Sequence, residues 1–176
     1  GRGAAVGGGG AHIVACCGPR VGVNRLDSSV GGVGDRGAVV SRPVCEAAGP
    51  ASVDVVRIEL NNEPVRPTRS ADFFQSLRAD GLDLTRISCG GPDSADQQRE
   101  QWFSAANLLA LAPGKVVIYR SSEATIRELE RQGYRIVDIN DVQTGVVKLD
   151  LGSPGQLAVK LKGSELSRGQ GAQHSM

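Results

Sequence analysis

The sequence has 176 residues, a formal net charge of +1 and only 3% aromatic residues. This length suffices for one domain with a core, and the near-neutral charge argues against a nucleic-acid or other polyanionic partner. No apolar run approaches the roughly 20 residues of a membrane helix, and none follows a basic start as in a signal peptide, so we expect no membrane association. Because the chain starts at Gly1 and stops inside a motif, we also expect a fragment of a longer protein.

Four cysteines, Cys16, Cys17, Cys45 and Cys89, are spread along the chain without the C-x-x-C spacing of a zinc site. We therefore expect reduced thiols in a cytoplasmic protein, and no metal.

Residues 1–52 hold about half of the 24 glycines, and no apolar pattern in them keeps a helical or strand period for long. We expect this segment to be disordered or weakly structured. It is either a flexible natural linker or a non-native lead-in read out of frame, since no lysine occurs before Lys115 and the composition resembles frame-shifted GC-rich DNA. A native peptide from residues 20–42, found by mass spectrometry, would exclude the second possibility.

Regular elements are predicted from residue 54 onward. Residues 55–60 alternate as a strand, Ser70 is the expected N-cap of a helix that ends at Gly81, and residues 84–89 form a second strand. The polar residues 92–102 are expected to form a loop.

The following segment predicts a strand pair, a helix and another strand. Residues 108–119 form a hairpin around a Pro-Gly turn, Ser121 or Ser122 caps a helix that ends at Gly133, and residues 135–139 are the next strand. Residues 146–161 then alternate around a second turn and predict another hairpin. The order predicts a mixed α/β fold with one helical layer over a small sheet.

The last fourteen residues contain three glycines, three serines, one arginine and one histidine, with almost nothing apolar among them. Such a segment cannot fill a core and is typical of a loop whose glycines let the backbone approach a ligand. Its pattern, Ser-Glu-Leu-x-Arg-Gly-x-Gly-x-x-His-x-Met, resembles the nucleophile loop of the arginine deiminases. The segment Arg-Glu-Gln-Trp at 99–102 and the Asn-x-Leu-Ala-x-x-Pro-Gly pattern at 107–114 also resemble that family.

The resemblance implies a partial pentein fold, an α/β propeller, of which this chain would carry about one ββαβ-type module plus an extra β-hairpin. The domains would be a lead-in at 1–52 and the C-terminal part of a catalytic domain at 53–176. It further implies hydrolysis of L-arginine to citrulline and ammonia in the cytoplasm, with no cofactor, and a homo-oligomer when full length.

Four residues match the family's site. Asn107 matches an asparagine that binds the substrate's carboxylate end, Arg168 and Gly169 match loop residues at the substrate, and Ser175 occupies the position of the catalytic cysteine. The alternatives without the resemblance are an ordinary loop amide for Asn107, a surface arginine for Arg168 and simple loop flexibility for Gly169.

Several features depart from the family pattern. Gln170 replaces a second arginine of the family pattern. Ser175 would need a strong neighbouring base to become a nucleophile, whereas a cysteine thiol ionises much more readily. The family's general base lies in a His-x-Asp segment, and no such segment precedes residue 53. We do not assign His174 as the base that activates Ser175. Cys89 is expected to be an inert buried thiol. The chain alone is therefore expected to have no deiminase activity.

The 146–161 hairpin is a further departure, and it could cover the site, mediate assembly or pack elsewhere. Two other functions stay open. One is a non-catalytic arginine-binding or assembly module, and the other is a related enzyme for agmatine or methylated arginine, although Asn107 argues against agmatine, which lacks a carboxylate.

Overall fold

A computed structural model describes residues 4–7, 12–17, 29–34, 36–45, 54–59, 67–70 and 72–163. These residues form a mixed α/β structure with three sheets, where we expected one small sheet. The strands are β1 (Ala4–Gly7), β2 (His12–Cys17), β3 (Val30–Gly32), β4 (Gly37–Val40), β5 (Asp54–Glu59), β6 (Pro67–Ser70), β7 (Thr85–Ser88), β8 (Leu109–Ala112), β9 (Lys115–Tyr119), β10 (Arg135–Asp138) and β11 (Leu157–Leu161). The helices are α1 (Arg42–Cys45), α2 (Phe73–Ala79), α3 (Ser94–Trp102), α4 (Glu123–Arg131) and α5 (Ile139–Gln143).

The first sheet is antiparallel and has the strand order β1-β2-β5-β6. Its described core residue is Val55, which packs with the aromatic pair Phe73 and Phe74 of α2. The second sheet has the order β3-β4-β7, with β3 antiparallel and β7 parallel to β4.

Strand β4 divides two hydrophobic cores because alternate side chains of a strand point to opposite faces. Val39 packs into a core shared with the third sheet and α4, whereas Ala38 and Val40 pack into the core under α1 and α2. The two-residue period of the strand thus lets a four-residue segment belong to both cores.

The third sheet has the order β10-β11-β9-β8, so the last strand of the described residues lies inside the sheet. Strand β11 is parallel to both neighbours, with Val159 opposite Val137 on one side and opposite Val117 on the other. Strand β8 is antiparallel to β9 and lies at the edge. Parallel strands need a crossover connection, which α4 supplies between β9 and β10.

The predicted hairpin at 146–161 is wrong. Only residues 157–161 form a strand, and its partners are β9 and β10 rather than residues 147–151. Val147 and Leu149 instead lie against the outer face of the third sheet, with Val137, Leu157 and Val159. The apolar side chains of this segment do alternate, but they are buried by packing on the face of the sheet and not by pairing as a strand.

Most of the polar segment 92–102 is helix α3, at Ser94–Trp102, and not the loop that we predicted. Asp93 caps α3 by accepting bonds from the N–H groups of Ala95 and Asp96, at 2.9 and 3.0 Å. The buried side chains of α3 are Gln97 and Glu100, so its inner face has no apolar period to detect. The predicted N-cap Ser70 is also wrong, because Asp72 accepts the N–H of Gln75 and caps α2.

The other predicted elements between residues 54 and 139 are confirmed as β5, α2, β7, the β8–β9 hairpin, α4 and β10. The stops expected at Gly81 and Gly133 have φ angles of 83° and 90°, which glycine adopts readily. Among the residues that the structure describes, no helix is long and apolar enough to cross a membrane.

The glycine-rich segment contains regular structure where we expected weak structure. Residues 29–34 and 36–45 supply β3, β4 and α1, and Val33, Val39 and Val40 are fully buried. Glycine allows β3 to lie very close to the loop after α3: a Cβ on Gly31 would be 1.8 Å from the carbonyl oxygen of Ala106. The division of the chain into domains at residue 52 stays a prediction.

Candidate functional site

Asn107 lies in the connection between α3 and β8 and is 6% exposed. Its N–H donates to the carbonyl oxygen of Ser104 at 2.9 Å, which closes a tight turn before β8. In the β8–β9 pair, Leu109 lies opposite Val117, so Asn107 is at the end of the sheet where β9, β10 and β11 have their carboxyl ends. Ligands of open α/β sheets commonly bind at this edge.

The chain leaves β11 at the same edge. The N–H of Arg120 donates to the carbonyl of Leu161 at 2.9 Å, and a Cβ on Gly163 would be 2.4 Å from Cε1 of Tyr119. Gly163 therefore fits closely against the ring of Tyr119, whose pKa is raised by burial. The predicted loop begins next to the edge that carries Asn107.

The remaining predicted site residues, Arg168, Gly169 and Ser175, lie outside the described residues, as do Gln170 and His174. The structure thus brings Asn107 and the start of the loop to one edge of the third sheet. The roles of the four predicted site residues stay predictions.

A buried polar junction lies beneath the Asn107 turn, and its central residue was not among the predicted site residues. The fully buried carboxylate of Glu100 accepts the N–H groups of Ala124 and Thr125 at 2.8 and 2.9 Å. It also accepts the Thr125 hydroxyl at 2.6 Å, and that hydroxyl accepts the N–H of Gly90 at 2.8 Å. Glu100 therefore caps α4 in place of Ser122, whose side chain makes no cap bond.

The same junction fixes the turn that carries Asn107. The N–H of Ala105 donates to the backbone carbonyl of Glu100 at 2.9 Å, so the turn continues directly from α3. The Gly90–Gly91 turn packs against α3 so tightly that a Cβ on Gly90 would be 2.4 Å from Cα of Gln97. The signal for Glu100 in the sequence was the Arg-Glu-Gln-Trp motif, which indicated a family but not a role.

Cys89 is part of this junction and is fully buried there. Burial raises the pKa of its thiol to about 12, and hydrogen bonds with Thr125 and the backbone of Ala106 offset only part of that rise. A nucleophilic cysteine needs a low pKa and access to solvent, so the structure supports the expectation that Cys89 is a buried structural thiol.

The part of the chain that the structure describes contains no group of three or more histidine, cysteine or acidic side chains that could hold a metal ion. The described carboxyl edge of the third sheet offers the Asn107 amide and backbone groups, together with the Arg120–Asp138 ion pair at the ends of β9 and β10. An amide donates and accepts hydrogen bonds without carrying charge, which suits a polar end of a small substrate.

Comparison with known proteins decides the family. The family model described as "Arginine deiminase" matches residues 13–176, which is nearly the whole chain. The chain belongs to the arginine deiminase family. The resemblance inferred from the 99–114 and 163–176 motifs is thereby confirmed, and the match also includes most of the glycine-rich segment.

Curated relatives are similar over part of their length. An arginine deiminase of Latilactobacillus sakei is 37% identical over 82 residues, which cover 45% of this chain and 20% of the relative. An arginine deiminase of Streptococcus gordonii is 29% identical over 125 residues, or 69% of this chain and 25% of the relative. The chain thus spans about a quarter or less of the length of the relatives that it matches.

Proposed function

We propose that the chain is the C-terminal part of an arginine-deiminase-like hydrolase, which converts L-arginine and water to citrulline and ammonia. The observation that carries the proposal is the arginine deiminase family match over residues 13–176. The position of Asn107 at the edge from which residues 164–176 depart supports it, because the family's site needs both segments together.

We further propose a pentein fold for the complete protein. The second and third sheets both contain an antiparallel strand pair, β3–β4 and β8–β9, followed by a strand that is parallel to the second member of the pair. This recurrence supports two ββαβ-type modules, one more than the sequence predicted.

In the proposed site Asn107 binds the carboxylate end of L-arginine, Arg168 and Gly169 line the substrate, and Ser175 stands at the nucleophile's position. Family members attack the guanidinium carbon with a cysteine thiolate, release ammonia and hydrolyse the intermediate with water. A serine hydroxyl has a much higher pKa than a thiol and needs an adjacent base. The chain has only two histidines, His12 and His174, and neither lies in a His-x-Asp segment, so we expect the chain alone to be inactive.

A colorimetric citrulline assay tests the proposal. We expect no turnover above buffer from the purified chain, and turnover from a version extended to the length of the relatives once Ser175→Cys is introduced. Ser175→Ala in the same extended protein is the matched control. An extended Ser175→Cys protein that neither turns over nor binds L-arginine would contradict the proposed function.

The replacement at Ser175 favours one second candidate, a non-catalytic arginine-binding or assembly module. Isothermal titration calorimetry distinguishes the two. Binding of L-arginine by the extended protein without citrulline formation, in both the natural and the Ser175→Cys forms, would support the second candidate.

A further inference from the structure

A cavity of about 460 Å³ lies between the second and third sheets, at the edge opposite Asn107. Its walls include Gly37 and Thr85, which begin β4 and β7, and Gly114, Tyr134 and Gln156, which immediately precede β9, β10 and β11. The amino ends of five strands, two from the second sheet and three from the third, therefore surround it. The volume is within the range of small-molecule sites, which is roughly 300–1,000 Å³.

The cavity is held open by contacts between the two sheets. The hydroxyl of Tyr134 donates to the carbonyl of Val33 at 2.9 Å, which joins the start of β10 to the end of β3. Gln156 lies between two glycines, since a Cβ on Gly114 would be 3.5 Å from its Cγ and a Cβ on Gly133 would be 3.4 Å from its Oε1. A Cβ at either position would be in van der Waals contact with Gln156, so this side chain packs directly over the two glycines.

The described lining of the cavity carries positive but no negative side-chain charge. Twelve of the described residues line the cavity, and among them Arg36 is the single charged side chain, while none is acidic. Thr85, Gln132 and Gln156 add neutral groups that can donate hydrogen bonds. The carbonyls of Glu128, Leu129 and Glu130 at the end of α4 already accept bonds from the N–H groups of residues 132–134, which limits their repulsion of an anion.

We propose that this cavity binds a small organic anion, with carboxylate or phosphate oxygens at Arg36 and neutral polar groups at Gln132 and Gln156. A guanidinium binds either kind of oxyanion through paired hydrogen bonds. The site uses none of the residues assigned to arginine hydrolysis. This proposal can therefore be tested independently of the proposed function.

Isothermal titration calorimetry of the whole chain with citrate and with inorganic phosphate tests the proposal at constant ionic strength. We expect at least one probe to bind, and Arg36→Gln to weaken its affinity by about tenfold or more, because a charge-assisted hydrogen bond is lost. Arg127→Gln, which removes an exposed arginine from α4, is the matched control and should leave the affinity unchanged. Preference for citrate indicates a carboxylate ligand, and preference for phosphate indicates a phosphorylated one.

A second variant keeps the proposal testable if the Arg36→Gln protein does not fold. Gln132 is exposed at the end of α4, and Gln132→Glu adds an acidic group to the wall without filling the core. It should weaken binding by a similar factor. The proposal is overturned if neither probe binds up to about 10 mM, if both cavity variants bind like the natural chain, or if Arg127→Gln loses as much affinity as they do.

Discussion

Glu100 shows how one buried residue can determine the geometry around a candidate site. Its carboxylate satisfies two of the free N–H groups at the start of α4, and its backbone carbonyl accepts from the turn that carries Asn107. A carboxylate removed from water is tolerated only when its oxygens are hydrogen-bonded, and here both are. Glu100 therefore ties α3, α4 and the Asn107 turn together.

We predict that Glu100→Gln lowers the free energy of unfolding by about 2–3 kcal/mol, because the glutamine NH₂ cannot accept the bonds that one carboxylate oxygen accepts. Urea denaturation followed by circular dichroism measures the change. Glu130→Gln, at an exposed position of α4, is the control and should change stability by less than about 0.5 kcal/mol. A Glu100→Gln value as small as the control's would show that the junction is not stabilising.

Ser104 is the one non-glycine residue with a positive φ, 57°, in the part of the chain that the structure describes. A non-glycine residue in this region is destabilised by about 1–2 kcal/mol, which favours glycine. Glycine in turn loses about 0.5–1 kcal/mol more backbone entropy on folding, which opposes the gain. We predict that Ser104→Gly raises the free energy of unfolding by roughly 0.5–1 kcal/mol.

Thermal denaturation measures the effect, and Ser121→Gly is the control. Ser121 is exposed and has no positive φ, so its replacement should lower the melting temperature. A melting temperature for Ser104→Gly at or below that of the natural chain would contradict the prediction.

At the scale of elements, Asp138 is the N-cap of α5. The N–H of Asn140 donates to its carboxylate at 3.0 Å, and this bond, with the nearby Arg120 guanidinium, lowers the pKa of Asp138 below its usual 3.8. A lowered folded-state pKa stabilises the fold at pH values above the unfolded-state pKa, and this contribution is lost as the pH falls through the folded-state value.

Asp138→Asn should therefore reduce the loss of stability on acidification below about pH 4, because asparagine still caps the helix but does not titrate. The difference in urea midpoint between the two proteins, followed from neutral pH downward, should shrink across that range. A constant difference would show that the Asp138 charge does not contribute.

Strand β11 shows why an element's partners are harder to predict than its existence. The alternation at 157–161 correctly indicated a strand, but the same pattern suits an edge hairpin and a central parallel strand. Its position between β9 and β10 follows from long-range pairing, with Val159 between Val117 and Val137. The segment before it needed no strand partner, because it packs on the face of the sheet.

At the scale of the whole molecule, the early glycine-rich strands complete the cores of later elements. Val33 and Val39 share a core with Ile87, Ile118 and Leu129. A chain reduced to residues 54–162 would expose that core, and we predict that it self-associates through the exposed apolar surface.

Size-exclusion chromatography with light scattering tests this prediction. The control is the whole chain under the same conditions, which should associate less than the shortened chain at equal concentration. A compact monomer of the shortened chain would show that β3 and β4 are dispensable for the core.

By itself the sequence determined the family, most elements between residues 54 and 139, and the alternation of buried and exposed residues, because periodicity and short motifs are local. Asn107 could be singled out only through the family motif, since a buried amide in a turn has no local signature. The tertiary structure decided what local patterns leave open: β11 in the centre of its sheet, β4 shared between two cores, and Glu100 buried on a helix with no apolar face. The physical reason is that pairing, burial and capping depend on residues distant in sequence, as when Glu100 satisfies N–H groups at Ala124 and Thr125.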